Sequence, residues 1–422
     1  MNISFKEDKL RAGVDSLPDW VQSEIEAKEL TDSHGNVSFC GLMANDSGLL
    51  IFLPRNSPVP SSVNDQLAAA VLTTSTVERY TSEKNRVRSG GISEEIEGGK
   101  LLTLAREILD DYRVNGLYVR IQRRRTINTG KIDWKNTINK QTPFLDRNGA
   151  PVYIRLEGKK NSYSVDSEVA RIHKAVVCKL DKSFGWWITK KENGRVAPDI
   201  SADKKLLSEK RYCISILKRE LTDCYAERDI RLINNLISYI ESIPENDAEE
   251  SPVVVGAKNF HHIWEHMLDK ILDKTVELNN KIPEPVYFKP DGLPLAGGAR
   301  KKMRMDAVLE DSQSGKVVIV DAKYYGAFSS EDLPGWSDLV KQFFYAKAIK
   351  LIRPKASVTN VFIFPGMSGF VSVAKVKDAL ADVYYDTEFL PVHCHYINPI
   401  SVMRDYVGRK KNRQLTDKLF KK

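Results

Sequence analysis

A chain of 422 residues is long enough for two or three domains, each with its own hydrophobic core. Its composition, 42% apolar and 28% charged, is typical of a soluble globular protein, and no apolar run reaches the ~18 residues of a membrane span. The formal net charge of +8 permits binding to a polyanion such as nucleic acid. The first residues lack the apolar core of a signal peptide and the five cysteines form no CxxC pair, so we expect a cytoplasmic protein with free thiols.

Residues 1–160 are predicted to form a β-rich N-terminal domain. Two apolar runs, 37–43 and 49–53, flank an Asn-Asp-Ser-Gly segment and predict a hairpin. A short helix containing Trp20 precedes this hairpin, and helices over 63–72 and 101–109 follow it. Alternating apolar and polar residues predict a second β-rich stretch from about 112 to 157.

Residues 161–250 are predicted to be helical, because apolar residues recur there at helical spacing. Trp186 and Trp187 have two interpretations, stacking on nucleic-acid bases or packing in a core. The segment 243–252 is acidic, polar and bounded by prolines, which is typical of a linker. A third domain is therefore expected over 251–422.

This third domain alternates helices and strands. A helix with a buried apolar side begins near Phe260 and carries Glu265. Strand-like residues 286–288, a hairpin over 305–323, a loop and a helix over 338–349 come next. Strands over 361–366, 370–376 and 393–397 precede a basic C-terminal helix. The pattern predicts an α/β (α+β overall) fold with helices flanking a mixed sheet.

The hairpin over 305–323 brings three charged side chains together. If Gln313 and Ser314 are the centre of the turn, Asp306 lies opposite Asp321 across the ladder, with Cβ atoms roughly 4.5–5.5 Å apart. Because strand side chains alternate between faces, Lys323 lies on the same face as Asp321. Two carboxylates this close repel each other unless a cation lies between them, and Mg2+ is the usual ion of such sites. The alternative is an ordinary hairpin whose ends carry solvated charges.

Further residues near this hairpin have side chains that could bind DNA phosphates or a metal ion. Basic side chains precede Asp306 directly, and positive charge there would suit the phosphates of DNA: Arg300, Lys301, Lys302 and Arg304. His262 and His266 lie one helical turn apart, a spacing used for zinc, but no third ligand is evident in the sequence.

The set Glu265, Asp306, Asp321-Ala322-Lys323, Gln342 and Tyr345 resembles the core of the PD-(D/E)xK nucleases. Within that superfamily the chain is similar to restriction endonucleases of the LlaJI family, which are related to the McrC nuclease subunit. The similarity extends to residues 39–43, 48–54 and 130–138, while the catalytic motifs cover about 258–350.

The resemblance implies a DNA endonuclease of a restriction (anti-phage defence) system. Asp306, Asp321 and the Ala322 carbonyl would bind Mg2+, with Glu265 as a direct or water-mediated support, and Lys323 would orient or activate the water. Gln342 and Tyr345 would contact the DNA backbone or support the site. Two residues depart from the family pattern: Met305 replaces the proline before Asp306, and Gln342 and Tyr345 are three residues apart rather than four.

The resemblance also implies partners, namely double-stranded DNA, an McrB-like AAA+ GTPase and a cognate methyltransferase. The chain contains no Gly-x-x-x-x-Gly-Lys-Ser/Thr loop, so it is not the nucleotide-driven motor itself. Its N-terminal half would then bind the partner or DNA. Two alternatives stay open: a nuclease of DNA repair or transposition, and a catalytically inactive scaffold that binds DNA or a partner.

Overall fold

The structure is a computed structural model that describes residues 3–8, 16–45, 48–86, 96–164, 167–203, 205–243, 252–294 and 303–421. The chain divides into two compact units. The two-sheet unit comprises Met1–Leu102 with Glu250–Lys422, and the middle unit comprises Thr103–Glu249. The domain boundaries expected at 160 and 250 remain a prediction. The two compact units have other boundaries, because N-terminal and C-terminal residues belong to the same unit.

The described residues form strands and helices of both units, numbered in chain order. The strands are β1 (Ile3–Glu7), β2 (Cys40–Asn45), β3 (Gly48–Leu53), β4 (Ile96–Glu97), β5 (Arg120–Ile127), β6 (Lys131–Ile132), β7 (Phe144–Leu145), β8 (Pro151–Val152), β9 (Glu157–Ser164), β10 (Val253–Ala257), β11 (Ala307–Asp311), β12 (Lys316–Ala322), β13 (Ser357–Pro365), β14 (Val373–Ala374) and β15 (Val392–Ile397). The α-helices are α1 (Asp19–Ala27), α2 (Val63–Arg86), α3 (Gly99–Asn115), α4 (Trp134–Lys140), α5 (Glu168–Thr189), α6 (Lys210–Asp223), α7 (Glu227–Ser242), α8 (His261–Ile271), α9 (Trp336–Ile352), α10 (Pro399–Val407) and α11 (Arg413–Phe420).

The first sheet of the two-sheet unit has the strand order β1-β3-β2-β10-β4. β2 and β3 pair antiparallel, with Gly41 opposite Phe52, which confirms the predicted N-terminal hairpin; Asp46 and Ser47 of its turn lie outside the described residues. β10 pairs antiparallel with β2, with Val254 opposite Met43. No local pattern predicts this pairing, because the two strands are about 200 residues apart along the chain.

The second sheet has the order β11-β12-β13-β15-β14 and is mixed, with β12, β13 and β15 parallel and the outer pairs antiparallel. The side chains of β11 and β12 alternate between the two faces of the sheet, and each face packs on a different helix. Leu309, Val318 and Val320 share a buried cluster with residues of α8. Val308, Val317 and Ile319 share another with residues of α9. Helices on both faces of a mixed sheet confirm the predicted α/β fold class.

The middle unit combines a three-stranded sheet and a two-stranded hairpin with the helices α5, α6 and α7. β9 pairs antiparallel with both β5 and β6, and β7 pairs with β8. The helical prediction from residue 167 onward is confirmed, and Ser167 caps α5 by accepting a hydrogen bond from the Ala170 amide at 3.2 Å. Trp186 and Trp187 are each only 3% exposed, so the structure favours the core-packing interpretation of this pair.

Some predicted elements differ from the observed ones. Within the predicted β-rich stretch, Trp134–Lys140 is helical, because Asp133 caps the segment by accepting from the Asn136 amide. Residues 286–288 are well exposed and form no strand; Phe288 makes only an isolated antiparallel bridge with Pro294. The strand expected over 370–376 is only Val373–Ala374, and the C-terminal helix is two helices, α10 and α11. The predicted linker lies mostly outside the described residues.

Among the described residues, no helix combines the length and apolarity that crossing a bilayer requires.

Candidate active site

The hairpin of β11 and β12 has the register expected from its turn. Ala307 pairs with Val320 and Asp311 with Lys316, which confirms the predicted ladder. Asp306 immediately precedes β11 and Asp321 is the penultimate residue of β12, so continuation of the ladder places them side by side. The Ala322 amide donates to Asp306 Oδ2 at 2.7 Å, which fixes this carboxylate against the end of β12.

Lys323 lies between two carboxylates. Its Nζ is 3.1 Å from Asp321 Oδ1 and 2.8 Å from Asp338 Oδ1. The sequence predicted that Lys323 and Asp321 share a face but missed Asp338, which lies in the first turn of α9. Burial opposes the charged form of Lys323, but the neighbouring carboxylates of Asp321 and Asp338 outweigh it and raise the lysine's pKa. The side chain is thus an ammonium, which can donate hydrogen bonds but cannot accept a proton.

Helix α9 supplies two further polar side chains. Gln342 is fully buried and its Nε2 donates to Asp321 Oδ2 at 3.2 Å, so it binds the carboxylate oxygen that Lys323 does not contact. Tyr345 is only 5% exposed and its hydroxyl donates to the Arg304 carbonyl at 2.7 Å. Both lie on the same helix face, as the three-residue spacing implies. Tyr345 thus lies under Arg304 as a support and not at the surface.

Glu265 reaches the site from α8. Its Oε2 lies 3.9 Å from His262 Nδ1. Burial raises the pKa of Glu265; His262 lowers it and Asp321 raises it further. His266 points elsewhere, with its Nε2 2.8 Å from Glu83 Oε2. The two histidines therefore have separate carboxylate partners, and their geometry gives no support to a zinc site.

The carboxylates at this end of the hairpin destabilise one another. Burial, together with the negative charges of Asp321 and Glu265, raises the pKa of Asp306 to about 7. A divalent cation would relieve this repulsion, and carboxylate oxygens are the donors that Mg2+ prefers. In the part of the chain that the structure describes, no three His, Cys, Asp or Glu side chains form a complete metal site. The residues fit an ion that takes two carboxylates, a backbone carbonyl and water, as Mg2+ commonly does.

The predicted DNA-binding residues are described only in part. Arg300, Lys301 and Lys302 lie outside the described residues. Arg304 is exposed, two residues before Asp306, and its carbonyl is fixed by Tyr345. The basic run 120–125 begins β5, and Arg125, the member whose side chain is described, is exposed.

A polar cluster that the sequence did not reveal contacts Tyr324, the residue that follows Lys323. Asp8 follows β1, Arg55 follows β3, and Arg55 Nε lies 3.3 Å from Asp8 Oδ2. Asp8 also accepts a hydrogen bond from Tyr324, the residue after Lys323. Burial raises the pKa of Asp8 to about 6, although Arg55 and Tyr324 lower it.

The raised pKa of Asp8 predicts a pH dependence of stability. An unfolded chain ionises this group near 3.8 and the folded chain near 6. Its contribution to the free energy of unfolding is therefore complete below about pH 3.8 and is lost as pH rises through 6, by about 3 kcal/mol in total. Denaturant unfolding of the wild type and Asp8→Asn at pH values from 4 to 8 should show the variant gaining relative stability across this window. A constant difference between the two proteins would contradict the assignment.

Comparison with known proteins agrees with the family that the motifs indicate. The family model described as LlaJI restriction endonuclease matches residues 39–389. Component YdjA of the type II restriction enzyme BsuMI from Bacillus subtilis (strain 168) is 27% identical over 304 residues, which cover 69% of this chain and 62% of that protein. The chain thus spans less than two thirds of the length of this relative.

A solved structure is also similar in outline. It is the half-complex from the tetradecameric assembly of Thermococcus gammatolerans McrB AAA+ hexamers with bound McrC. The match covers 96% of this chain and 99% of the matched chain, with a TM-score of 0.40 and 11% sequence identity. The family model, in contrast, covers well over half of the sequence and includes all the residues of the candidate site. This chain therefore belongs to the LlaJI restriction endonuclease family.

Proposed function

We propose that this chain is a Mg2+-dependent DNA endonuclease, the cleavage subunit of a cytoplasmic restriction system. The observation that carries the proposal is the arrangement at the end of the β11–β12 hairpin. There, Asp306 and Asp321 lie beside Lys323, whose Nζ is held 3.1 Å from Asp321. Membership in a family of restriction endonucleases supports the same reaction.

Each residue has a distinct part in the proposed reaction. Asp306 and Asp321 would hold Mg2+, with the Ala322 carbonyl as a further ligand and Glu265 as an outer support. When bound there, Mg2+ supplies Lewis-acid stabilisation of the charge that develops on the scissile phosphate. The Lys323 ammonium would orient the attacking water and donate to that charge. As the water oxygen bonds to phosphorus, the bond to the leaving sugar oxygen breaks, and the proton of the water passes to solvent because protonated Lys323 cannot accept it. Gln342 and Asp338 keep the carboxylate and the ammonium in place.

The proposal includes partners. The curated relative is described as one component of a restriction enzyme, which supports a chain that acts with other subunits. The resemblance to McrC-related nucleases favours an McrB-like AAA+ GTPase as the motor, and a cognate methyltransferase would protect host DNA. These partners would also explain why the chain has no phosphate-binding nucleotide loop of its own.

Plasmid cleavage tests this function directly. The purified chain is incubated with supercoiled plasmid in Mg2+ or in EDTA, alone and with the product of its neighbouring gene plus GTP. We expect nicked or linear DNA in Mg2+ and none in EDTA. Binding of DNA without cleavage under every condition would instead support an inactive scaffold.

DNA affinity should fall steeply with salt if the basic residues before Asp306 contact phosphates. Replacing Arg300, Lys301, Lys302 and Arg304 by alanine should make the slope of log affinity against log salt shallower by up to about 3 to 4. Fluorescence anisotropy over a salt series measures this slope. A control variant loses four exposed lysines of the middle unit, Lys182, Lys190, Lys191 and Lys205. An equal change in both variants would show that the contact is not specific to the cluster near the site.

A further inference from the structure

Tyr324 connects the two elements that carry the site. It follows Lys323 directly but packs on the other face of the sheet, where it is only 6% exposed. Its ring lies 5.5 Å from that of Phe260 and 6.2 Å from that of Trp264, measured between centroids. Trp264 immediately precedes Glu265 on α8. A single buried side chain therefore contacts both the strand end that carries Lys323 and the helix that carries Glu265.

Arg55 holds Tyr324 at three points. The Arg55 amide donates to the Tyr324 hydroxyl at 3.1 Å, and Arg55 Nη1 donates to the Tyr324 carbonyl at 2.8 Å. The guanidinium carbon also lies 4.8 Å from the centroid of the ring. Arg55 is itself paired with Asp8, which is 3% exposed. The backbone immediately after Lys323 is thus held by the Arg55 side chain, which comes from the loop that follows β3 of the first sheet.

The residue after Arg55 extends this attachment to the next strand. Asn56 Nδ2 donates to the Pro365 carbonyl at the end of β13, at 3.1 Å. The Lys323 amide in turn donates to the Ile363 carbonyl of β13 at 2.9 Å. The loop after β3 therefore makes hydrogen bonds near the ends of both β12 and β13. The two strand ends are also hydrogen-bonded to each other.

We propose that Asp8, Arg55 and Tyr324 are positioning residues of the nuclease site, so that the N-terminal sheet is a structural half of that site as well as any binding module it forms. This inference rests on the proposed function and assigns the three residues a role that their distance in sequence conceals. They do not face the reacting phosphate. They set where Lys323 and Glu265 lie relative to Asp306 and Asp321.

The physical basis is the sensitivity of catalysis to small displacements. The cluster is buried, so water cannot readily replace the contacts that Arg55 makes. Loss of Arg55 would leave Asp8 as a buried acid without its cation and would free the backbone after Lys323. A displacement of about 1 Å at a reacting group can reduce the rate by about 100-fold.

Steady-state cleavage kinetics test the role. Arg55→Ala should lower kcat by about 10- to 100-fold while KM for DNA changes less than about twofold, because the cluster does not contact DNA. Tyr324→Phe keeps the ring but removes the hydroxyl, so its kcat should lie between those of Arg55→Ala and the wild type. The control is Arg353→Ala, which breaks a partly buried ion pair with Glu310, 3.0 Å long, at the far end of α9. It should leave kcat unchanged.

A second measurement does not depend on cleavage. The rate at which an amine-acylating reagent modifies Lys323, followed by mass spectrometry, reports how firmly its ammonium is held. Acylation should be slow in the wild type and in Arg353→Ala, and several-fold faster in Arg55→Ala and Tyr324→Phe. Lys316, at the other end of β12, serves as the internal reference.

The outcomes separate this inference from the proposed function. Unchanged kcat and unchanged Lys323 acylation in folded Arg55→Ala and Tyr324→Phe would overturn the positioning role, as would an equal loss in Arg353→Ala. Full cleavage activity in Asp321→Asn would instead overturn the proposed function. In that case faster acylation in Arg55→Ala would still establish that the cluster holds Lys323.

Discussion

Asp306→Asn should abolish Mg2+-dependent cleavage and, at the same time, raise the melting temperature of the metal-free protein. Burial of the Asp306 carboxylate, together with the negative charges of Asp321 and Glu265, raises its pKa to about 7. Asparagine keeps the shape and can still accept the hydrogen bond from Ala322. The substitution removes the repulsion but also a metal ligand. Because a bound metal stabilises the transition state by several kcal/mol, we expect the cleavage rate to fall at least about 1,000-fold.

Thermal unfolding with and without Mg2+ provides the second readout of this variant. A ligand that binds only the folded state raises the melting temperature, so Mg2+ should stabilise the wild type and not Asp306→Asn. Asp311→Asn is the matched control, because Asp311 lies at the other end of β11 and pairs with Lys274 instead. Equal Mg2+ stabilisation of all three proteins would remove Asp306 from the metal site.

Lys323→Met should cost rate much more than it costs metal affinity. The ammonium is held between Asp321 and Asp338 and is proposed to donate to the charge that develops on the phosphate. Loss of one such donor lowers rates by about 100- to 1,000-fold. Because Lys323 is a cation next to the proposed ion, its removal should leave Mg2+ affinity unchanged or slightly higher. Single-turnover cleavage over a Mg2+ titration separates the two quantities.

The control for this lysine is on the same strand. Lys316→Met removes an ammonium whose Nζ donates to the Phe420 carbonyl at 3.0 Å, at the opposite end of β12. We expect its cleavage rate to match the wild type. A large loss of Mg2+ affinity in Lys323→Met with an unchanged maximal rate would show that the lysine supports the metal and not the reaction.

The sequence was most informative where local rules decide the structure. The turn between β11 and β12 and the alternation of side chains were enough to predict the register, and the structure confirms it. The family resemblance drawn from the same residues is confirmed by the family match. The roles of Glu265, Asp306, Asp321 and Lys323 remain predictions, since they concern chemistry that geometry alone does not measure.

The sequence failed where contacts join distant segments. Asp338 is only 15 residues from Lys323, but its contact depends on where α9 packs against the sheet. Arg55 and Tyr324 are 269 residues apart, and no periodicity or motif relates them. For the same reason, the pairing of β10 with β2 in the first sheet could not be predicted. Each of these features is set by tertiary packing, which single-sequence patterns do not encode.

The most direct test of the central claim is anomalous diffraction from crystals soaked in Mn2+, which takes the same hard oxygen donors as Mg2+. The account predicts a peak between the carboxylates of Asp306 and Asp321, about 2.1 Å from an oxygen of each. A peak bound elsewhere, or none between these two side chains at saturating Mn2+, would contradict it.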